Sequence, residues 1–424
     1  AGLALGLGGA AVPLVADGLV AGFALLAGLL MGAALILPLA LAAALRLGAG
    51  LARGPVGAWF WADSRQQLPG LSLALMALML ALAANVGVST MVGSFRATFT
   101  GWLDQRLAAE LYVSARDAEE AARLTDWLEG RADAVLPIAE TEAQPGGAPG
   151  AVRGIADHPT YREGWPLLAA APRVWDRLAA GEGALVNEQL VRREGLDPGD
   201  PVALDTAWQM PVLGVYSDYG NPRGEAIVAL DVLRARVPDL TVRQFGLRTG
   251  RADALAQALR TEFGLPPDAL IDQSALKAMS LRVFERTFAI TGALNVLTLA
   301  VAAVAILTAL LTLSAMRLPQ LAPVWALGLR RARLARLELA RAAMMAALTF
   351  VLAVPVGLVL AWVLLAVVNV EAFGWRLPMR IFPQDWLWLL AAALAAAVLA
   401  AALPVRRLAR TPPARFLKVF ADER

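Results

Sequence analysis

Five long apolar runs, with a polar block of about 190 residues between the second and third, set the pattern of this chain. A bilayer's hydrocarbon core of roughly 30 Å takes about 20 helical residues to cross. Runs of that length fall at residues 17–45, 70–95, 288–316, 342–369 and 385–404. Their Ala, Leu and Val are broken only sparsely by Gly and Pro, so helices can pair every backbone amide within the segment. The alternation of a membrane β-barrel is missing from them. The predicted fold is therefore a membrane all-α bundle of about five spans with one inserted α+β domain. Ala1 to Ala11 is apolar but too short to cross, and nothing there resembles a signal peptide. Residues 1–16 read as the end of a preceding helix, part of a sixth, followed by a turn; the chain reads as a fragment or a processed product.

The insert, 96–287, alternates strand and helix patterns. Glu110 to Ala115 predicts a strand, Asp117 to Gly130 an amphipathic helix, and Ala134 to Thr141 a strand; a matching series runs through Thr241–Arg248, Arg251–Phe263 and Ala269–Asp272. Two such units at the ends of one insert predict a shared split-βαβ sheet. Between them, about 151–239 is richer in strand signals and is bounded by the turn-forming Pro145 to Gly150. It reads as a second, β-rich subdomain. Where the insert leaves and re-enters the apolar part, Phe95–Leu111 and Gln273–Thr287 have helical spacing, with Arg282, Glu285 and Arg286 on the second. Helices continuous with spans two and three would make stalks for the domain.

Composition agrees with a membrane protein: 58% of residues are hydrophobic, 17% are charged, and mean hydropathy is +0.59. The net charge of +3 conceals two regions, because Arg96 to Glu285 holds 20 basic and 28 acidic residues against 18 and 7 elsewhere. Arginines cluster at 46–69, 317–341 and 405–424. Alternating spans put all three segments on one side, which the excess of basic residues marks as cytoplasmic. The insert and the 370–384 loop then lie outside. Anionic lipid explains the cationic part better than nucleic acid does. Trp59 and Trp61, with Arg53 and Arg65, suggest an interfacial helix within 46–69; Trp375, Trp386 and Trp388 suggest an aromatic belt at the other surface.

Candidate chemistry is sparse. There are no cysteines and one histidine, His158, which excludes thiolate and multi-histidine metal sites. His158 before Pro159 reads as a surface loop residue rather than a base. Asp218 and Glu225 offer a carboxylate pair, yet the Gly220, Asn221, Pro222 and Gly224 between them spell a turn first. No Gly-x-x-x-x-Gly-Lys-Ser/Thr occurs, and Lys277 and Lys418 are the only lysines, so the P-loop route to ATP is closed to these residues. Asn85 and Asn295 on spans two and three can bond across the helix pair or to their own carbonyls. Gly18/Gly22 and Gly28/Gly32 form small-xxx-small pairs on span one. No ionisable residue falls in the middle of a span, which argues against a proton-driven carrier or channel.

Several segments resemble one family. NEQLVRREGLDPGDPVAL (Asn187 to Leu204), VLGVYSDYGNPRGE (Val212 to Glu225), RLPQLAPVWALGLRRARLARLELARAAMMA (Arg317 to Ala346) and LPVRRLARTPPARFL (Leu403 to Leu417) are similar, in that order, to the FtsX-like, MacB-type ABC transporter permeases. DYGNPRGE resembles the large duplicated permeases of that family, of which this chain would be the second half. Pro319 and Gln320 stand where relatives carry an acidic residue, which puts any salt bridge made there in doubt.

The resemblance implies a permease, not an enzyme, in a bacterial inner membrane with its large domain periplasmic. It implies no cofactor of its own, ATP being bound by a cytoplasmic ABC-type ATPase, and a second permease half or a homodimer. Ala326, Leu327, Gly328, Leu329, Arg330 and Arg331 would form the contact with the ATPase, and Asn85, Asn295, Arg282 and Glu285 the stalk. A hydrophobic or amphiphilic cargo, such as a lipid or lipoprotein, is the function implied. The alternative is a mechanotransmitter that moves nothing and activates a periplasmic hydrolase; a periplasmic adaptor is a further partner left open.

Overall fold

The computed structural model describes residues 18–50, 52–326 and 328–410. Leu327, most of the 1–16 segment's surroundings up to Asp17, and the tail beyond Arg410 with Arg415, Lys418 and Arg424 lie outside the described residues. The described residues divide into two compact units. One is drawn from Ala1–Ser94, Phe288–Val368 and Pro378–Arg424, the other from Phe95–Thr287 and Asn369–Leu377.

The first unit is helical. Five of its helices are long and apolar enough to cross a membrane, with membrane-length stretches in Leu19–Ala49, Gly54–Arg106, Gly292–Thr312, Arg331–Phe373 and Pro383–Arg406. Leu41, Leu78, Leu82, Ala302, Ala353 and Ala393 fill the centre between them. The outer faces are equally apolar: Val20 is 82% exposed, and Leu39, Leu73, Val296 and Leu399 are exposed too. A helix apolar on both faces suits hydrocarbon, where nothing polar is needed outside. The Gly54–Arg106 helix runs unbroken through 54–70 and past Pro69, so the expected loop with a separate interfacial helix at 46–69 is corrected. Trp61 packs against Gly48 and the bundle core rather than serving as a free surface anchor.

Two features lock this bundle. The first is a close crossing of the Gly54–Arg106 and Arg331–Val363 helices. A Cβ on Gly357 would sit 2.6 Å from Cβ of Val86 and 2.8 Å from the Ala83 carbonyl, and Gly87 faces Leu360 just as tightly. Small residues let two backbones approach where hydrophobic burial offers little difference between protein and lipid. The span-one pair fares differently: Gly22 packs on Val368, with its missing Cβ 3.0 Å from that side chain.

The second feature is ionic. Arg341, 2% exposed, donates from Nε to Ser64 Oγ at 3.1 Å and from Nη1 to both Glu338 oxygens at 3.0 and 3.1 Å. It also pairs with Asp63, itself held by Gln67 Nε2 at 2.9 Å, and its guanidinium lies 5.6 Å from the Phe60 ring centre. Arg341 is thus no loop arginine of a topology signal: it is the buried link between two helices.

The second unit is built on ten strands: β1 (Leu111–Ser114), β2 (Ala134–Ala143), β3 (Gly150–Ile155), β4 (Leu167–Ala170), β5 (Ala184–Asn187), β6 (Pro201–Asp205), β7 (Trp208–Tyr216), β8 (Gly224–Ala229), β9 (Gln244–Arg248) and β10 (Leu270–Asp272). They order as β10-β1-β9-β2-β3-β8-β5-β7-β4, with β6 on β7. β1 is antiparallel to β9 and to β10, and β2 is antiparallel to β9, so the first and last strand-helix-strand series interleave. β2 and β3 form a hairpin across Pro145 to Gly150, and β3 runs parallel to β8. The 151–239 stretch therefore extends the same sheet.

Local signals explain the helices between strands. Asp117 caps Ala118–Leu128 by accepting from the Glu120 amide at 2.8 Å, while Glu120 accepts from the Arg116 amide at 2.7 Å, a reciprocal capping box. Asn187 caps Glu188–Glu194 through the Leu190 amide at 3.1 Å.

Gly357→Ala is expected to destabilise the chain by about 1–3 kcal/mol through overpacking, read as a lower melting temperature in detergent, whereas Val359→Ala on an exposed face leaves it unchanged. Arg341→Leu strands two buried acids and is expected to cost about 3–5 kcal/mol. The triple variant Arg341→Leu, Asp63→Asn, Glu338→Gln should recover most of that loss in the same melt.

Candidate functional site

The coupling turn lies between two helices of the apolar unit. The Gln273–Ala326 helix ends, the Gly328 amide donates to the Trp325 carbonyl at 2.9 Å, and Arg330 opens the Arg331–Val363 helix, its carbonyl accepting from the Arg333 amide at 2.9 Å. Gly328 has φ +99°, a conformation that strains any residue with a Cβ. Its surroundings are open, so the glycine is required by the turn itself and not by a neighbour in this chain. Gly328 and Arg330 are exposed, Leu329 and Arg331 half-buried; Ala326 closes the preceding helix. Of the six residues expected there, five are brought to one turn and Leu327 falls outside the described residues.

Asn85 does bond across the bundle, with different partners from those expected. Its Nδ2 donates to Thr298 Oγ1 at 3.1 Å and, more weakly, to the Asn295 backbone carbonyl at 3.5 Å, as well as to its own helix at Ala81 O, 2.7 Å. The Asn295 side chain is not the acceptor. In the same unit, Ser94 and Arg380 exchange hydrogen bonds: Ser94 Oγ donates to the Arg380 carbonyl at 3.1 Å and accepts from its amide at 2.9 Å.

In the other unit, Glu285 accepts from Arg96 Nη2 at 2.8 Å, and Lys277 pairs with Asp104, so the outgoing and returning helical ends are tied together. The first pair is more than half exposed on both sides, and such pairs contribute at most about 1 kcal/mol. Arg282 is exposed. Trp375, expected in an aromatic belt, is instead 4% exposed and packs on Tyr219 at 5.2 Å and Phe95 at 5.8 Å. The loop that carries it is held by the Arg376 amide donating to Glu188 Oε1 at 3.1 Å. Of the other two expected belt residues, Trp388 is exposed and Trp386 packs against the bundle core.

The chemistry concentrated in this unit is a buried ionic cluster that local sequence patterns do not reveal. Arg106 Nη2 donates to Glu225 Oε1 at 3.0 Å and lies 3.9 Å from Asp218; Tyr216 donates its hydroxyl to the same Glu225 oxygen at 2.9 Å, and Arg153 approaches it at 3.6 Å. The Arg106 guanidinium is sandwiched against Trp165, 4.6 Å, and Tyr216, 5.5 Å. The turn reading of 218–225 also holds. Asn221 Nδ2 donates to Asp218 Oδ2 at 2.7 Å, and Gln189 donates to the Asp218 and Asn221 carbonyls. Turn and buried carboxylates coexist because the turn folds its acids inward. His158 caps the Pro159–Gly164 helix by accepting from the Thr160 amide.

Burial raises the Asp218 carboxyl above the ordinary carboxylate range, and the Glu225 charge adds to it, against the pull of Arg106 and of hydrogen bonds from Asn221 and Asn187. Burial likewise holds the Tyr216 phenol far above its usual value, keeping it a neutral donor. Because the folded state keeps the Asp218 proton to higher pH than the unfolded chain does, this group's contribution is most favourable below the unfolded value. It is lost as pH rises through the raised folded one. The melting temperature of Asp218→Asn should therefore gain on wild type as pH rises from about 4; a difference that shrinks with rising pH would contradict the assignment.

Residues 292–413 match the FtsX-like permease C-terminal family. The chain is 31% identical over 406 residues to an uncharacterized ABC transporter permease protein of Mycobacterium tuberculosis, a match that takes in 85% of this chain and 45% of the relative. The chain thus spans about half the length of the curated relative it matches. Among solved structures, the periplasmic region of MacB from Actinobacillus actinomycetemcomitans aligns at TM-score 0.30 and 11% identity, over 41% of this chain and 94% of that one. The extracellular domain of the noncanonic ABC-type transporter YknZ from Gram-positive bacteria aligns at 0.29 and 15%, over 39% and 98%. With its family match in the C-terminal helices and its ABC permease homologue spanning most of its length, the chain belongs to the FtsX-like family of ABC transporter permeases.

Proposed function

We propose that this chain is the permease part of an ABC-type export or extraction system whose cargo is hydrophobic or amphiphilic. ATP hydrolysis by a cytoplasmic partner moves the Ala326–Arg331 turn, and the movement reaches a periplasmic domain along helices. One observation carries the reading. The Gly54–Arg106 helix has 53 residues and the Gln273–Ala326 helix 54. At 1.5 Å per residue each is about 80 Å long, far more than the roughly 30 Å of hydrocarbon that a span must cross. Helices that long serve as levers as well as anchors. The apolar outer faces of the bundle place them in lipid, and the basic residues after Gly328 suit an acidic or polar groove on the partner.

Mechanotransmission to a hydrolase uses the same levers, and reconstitution distinguishes it: a transporter removes labelled amphiphile from liposomes when ATP is supplied, a mechanotransmitter hydrolyses ATP and leaves the label in place. In the transporting system, Gly328→Leu imposes strain of about 1–3 kcal/mol on the turn and is expected to lower transport per ATP roughly tenfold while the complex still assembles. Unchanged transport per ATP in an assembled complex would remove the assignment of that turn.

A further inference from the structure

The polar unit contains a cavity of about 220 Å³ beside the buried ionic cluster. Its charged lining consists of Arg106 and Arg153; the acids that pair with them, Glu225, Asp218 and Glu140, do not line it. Leu136, Ile138 and Ile155 form an apolar wall. Two of its polar groups are unsatisfied. Arg106 Nη1 and Trp165 Nε1 are both buried and neither has a hydrogen-bond partner among the described residues.

Orphaned buried donors are uncommon, because leaving one unmade costs about 1–3 kcal/mol. These two lie on residues in direct contact, the guanidinium 4.6 Å from the indole ring centre. Nothing in the folding of the unit requires the indole nitrogen, since Trp165 fills its place by its ring, edge-on to Tyr161 at 5.5 Å and to Tyr216 at 6.0 Å. A buried indole N–H and a spare guanidinium N–H, both donors and neither able to accept, select an oxygen acceptor. Two guanidiniums with no carboxylate in the wall select one that is anionic. The volume is below the ~300 Å³ of sites that enclose a drug-sized ligand, so the cavity takes a headgroup and the first part of a stem.

We propose that this cavity binds an oxyanion, phosphate or carboxylate, carried on an apolar stem, with Arg106 Nη1 and Trp165 Nε1 as the donors and the Leu136, Ile138 and Ile155 wall against the stem. Glu225 and Tyr216 act as positioning residues: they occupy the other side of the Arg106 guanidinium and so leave its Nη1 edge for the ligand. The inference goes beyond the coupling reading, since a chain that transmits force without moving cargo would hold such a ligand equally well.

The test uses the full chain in amphipol, with no ATP and no partner, and measures calorimetric binding of octyl phosphate, inorganic phosphate and octanol. Octyl phosphate is expected to saturate one site, and the other two probes to bind at least tenfold more weakly. Trp165→Phe, which keeps the ring and deletes the N–H, is expected to weaken octyl phosphate about tenfold, the loss of one hydrogen bond to a charged group, with an unchanged melting temperature. Ile138→Trp, which fills the cavity, is expected to abolish binding. Absence of saturable octyl phosphate binding overturns the proposal, as does wild-type affinity in both variants. Inorganic phosphate binding as tightly as octyl phosphate overturns the apolar stem, and octanol doing so overturns the oxyanion. None of these outcomes bears on the Gly328 experiment, which reads transport per ATP.

Discussion

In hydrocarbon no water is available to pair a backbone amide, and that one constraint shapes the apolar half of the molecule. It forces each span into a helix whose hydrogen bonds close within the segment. It also removes the usual force that brings helices together, since a leucine is as well accommodated by lipid as by another helix. What remains to specify packing is close backbone approach and the occasional polar contact. Both are present between the same two helices: Gly87 and Gly357 at one level, Arg341 with Asp63, Ser64 and Glu338 at another. Asn85 and Thr298 add a third contact, to the Gln273–Ala326 helix. The Gly54–Arg106 helix joins in all three, and its membrane-length stretch is more buried than that of any other helix described.

The domain outside this bundle obeys the opposite rule. There water penalises exposed apolar surface, and strands with one inward face collect Val152, Val186, Val212 and Val228 into a core beneath the sheet. Charge can be buried in such a core only when paired. Arg106 meets that condition on one side of its guanidinium, through Glu225, and leaves the Nη1 edge unpaired. The unit therefore combines a satisfied ionic core with one unsatisfied corner, and the corner coincides with the cavity.

Much of this was legible in the sequence because the signals are local. Membrane-length apolar runs, strand-helix-strand alternation at both ends of the insert, and the Asp117 and Asn187 caps each depend on residues a few positions apart. The misses have a common cause in sequence distance. Arg106 and Glu225 are separated by 119 positions, and Arg341 and Ser64 by 277. Read locally, Arg341 is the last of a series of loop arginines, and Asp218 and Glu225 are the flanks of a Gly-Asn-Pro turn. Trp375 beside Arg376 looks like an interfacial pair until Tyr219 and Phe95 are found against it. Pro69 misled in another way: it suggested a boundary, whereas a long helix absorbs the loss of one hydrogen bond and continues.

The coupling turn and the buried arginine gain meaning together. Arg341 lies ten residues into the helix that Arg331 begins, about 15 Å along its axis. A turn pinned by φ alone, with nothing packed around Gly328, can be displaced without breaking side-chain contacts of its own. The helix that follows it cannot slide freely, because displacing Arg341 from Asp63 and Ser64 would expose a buried charge to an apolar interior. In the proposed mechanism a push at the turn is therefore resisted three turns later and taken up by the Gly54–Arg106 helix, whose far end carries Arg106. The glycine supplies compliance, the arginine supplies grip, and the order in which they occur along the chain is what a lever requires.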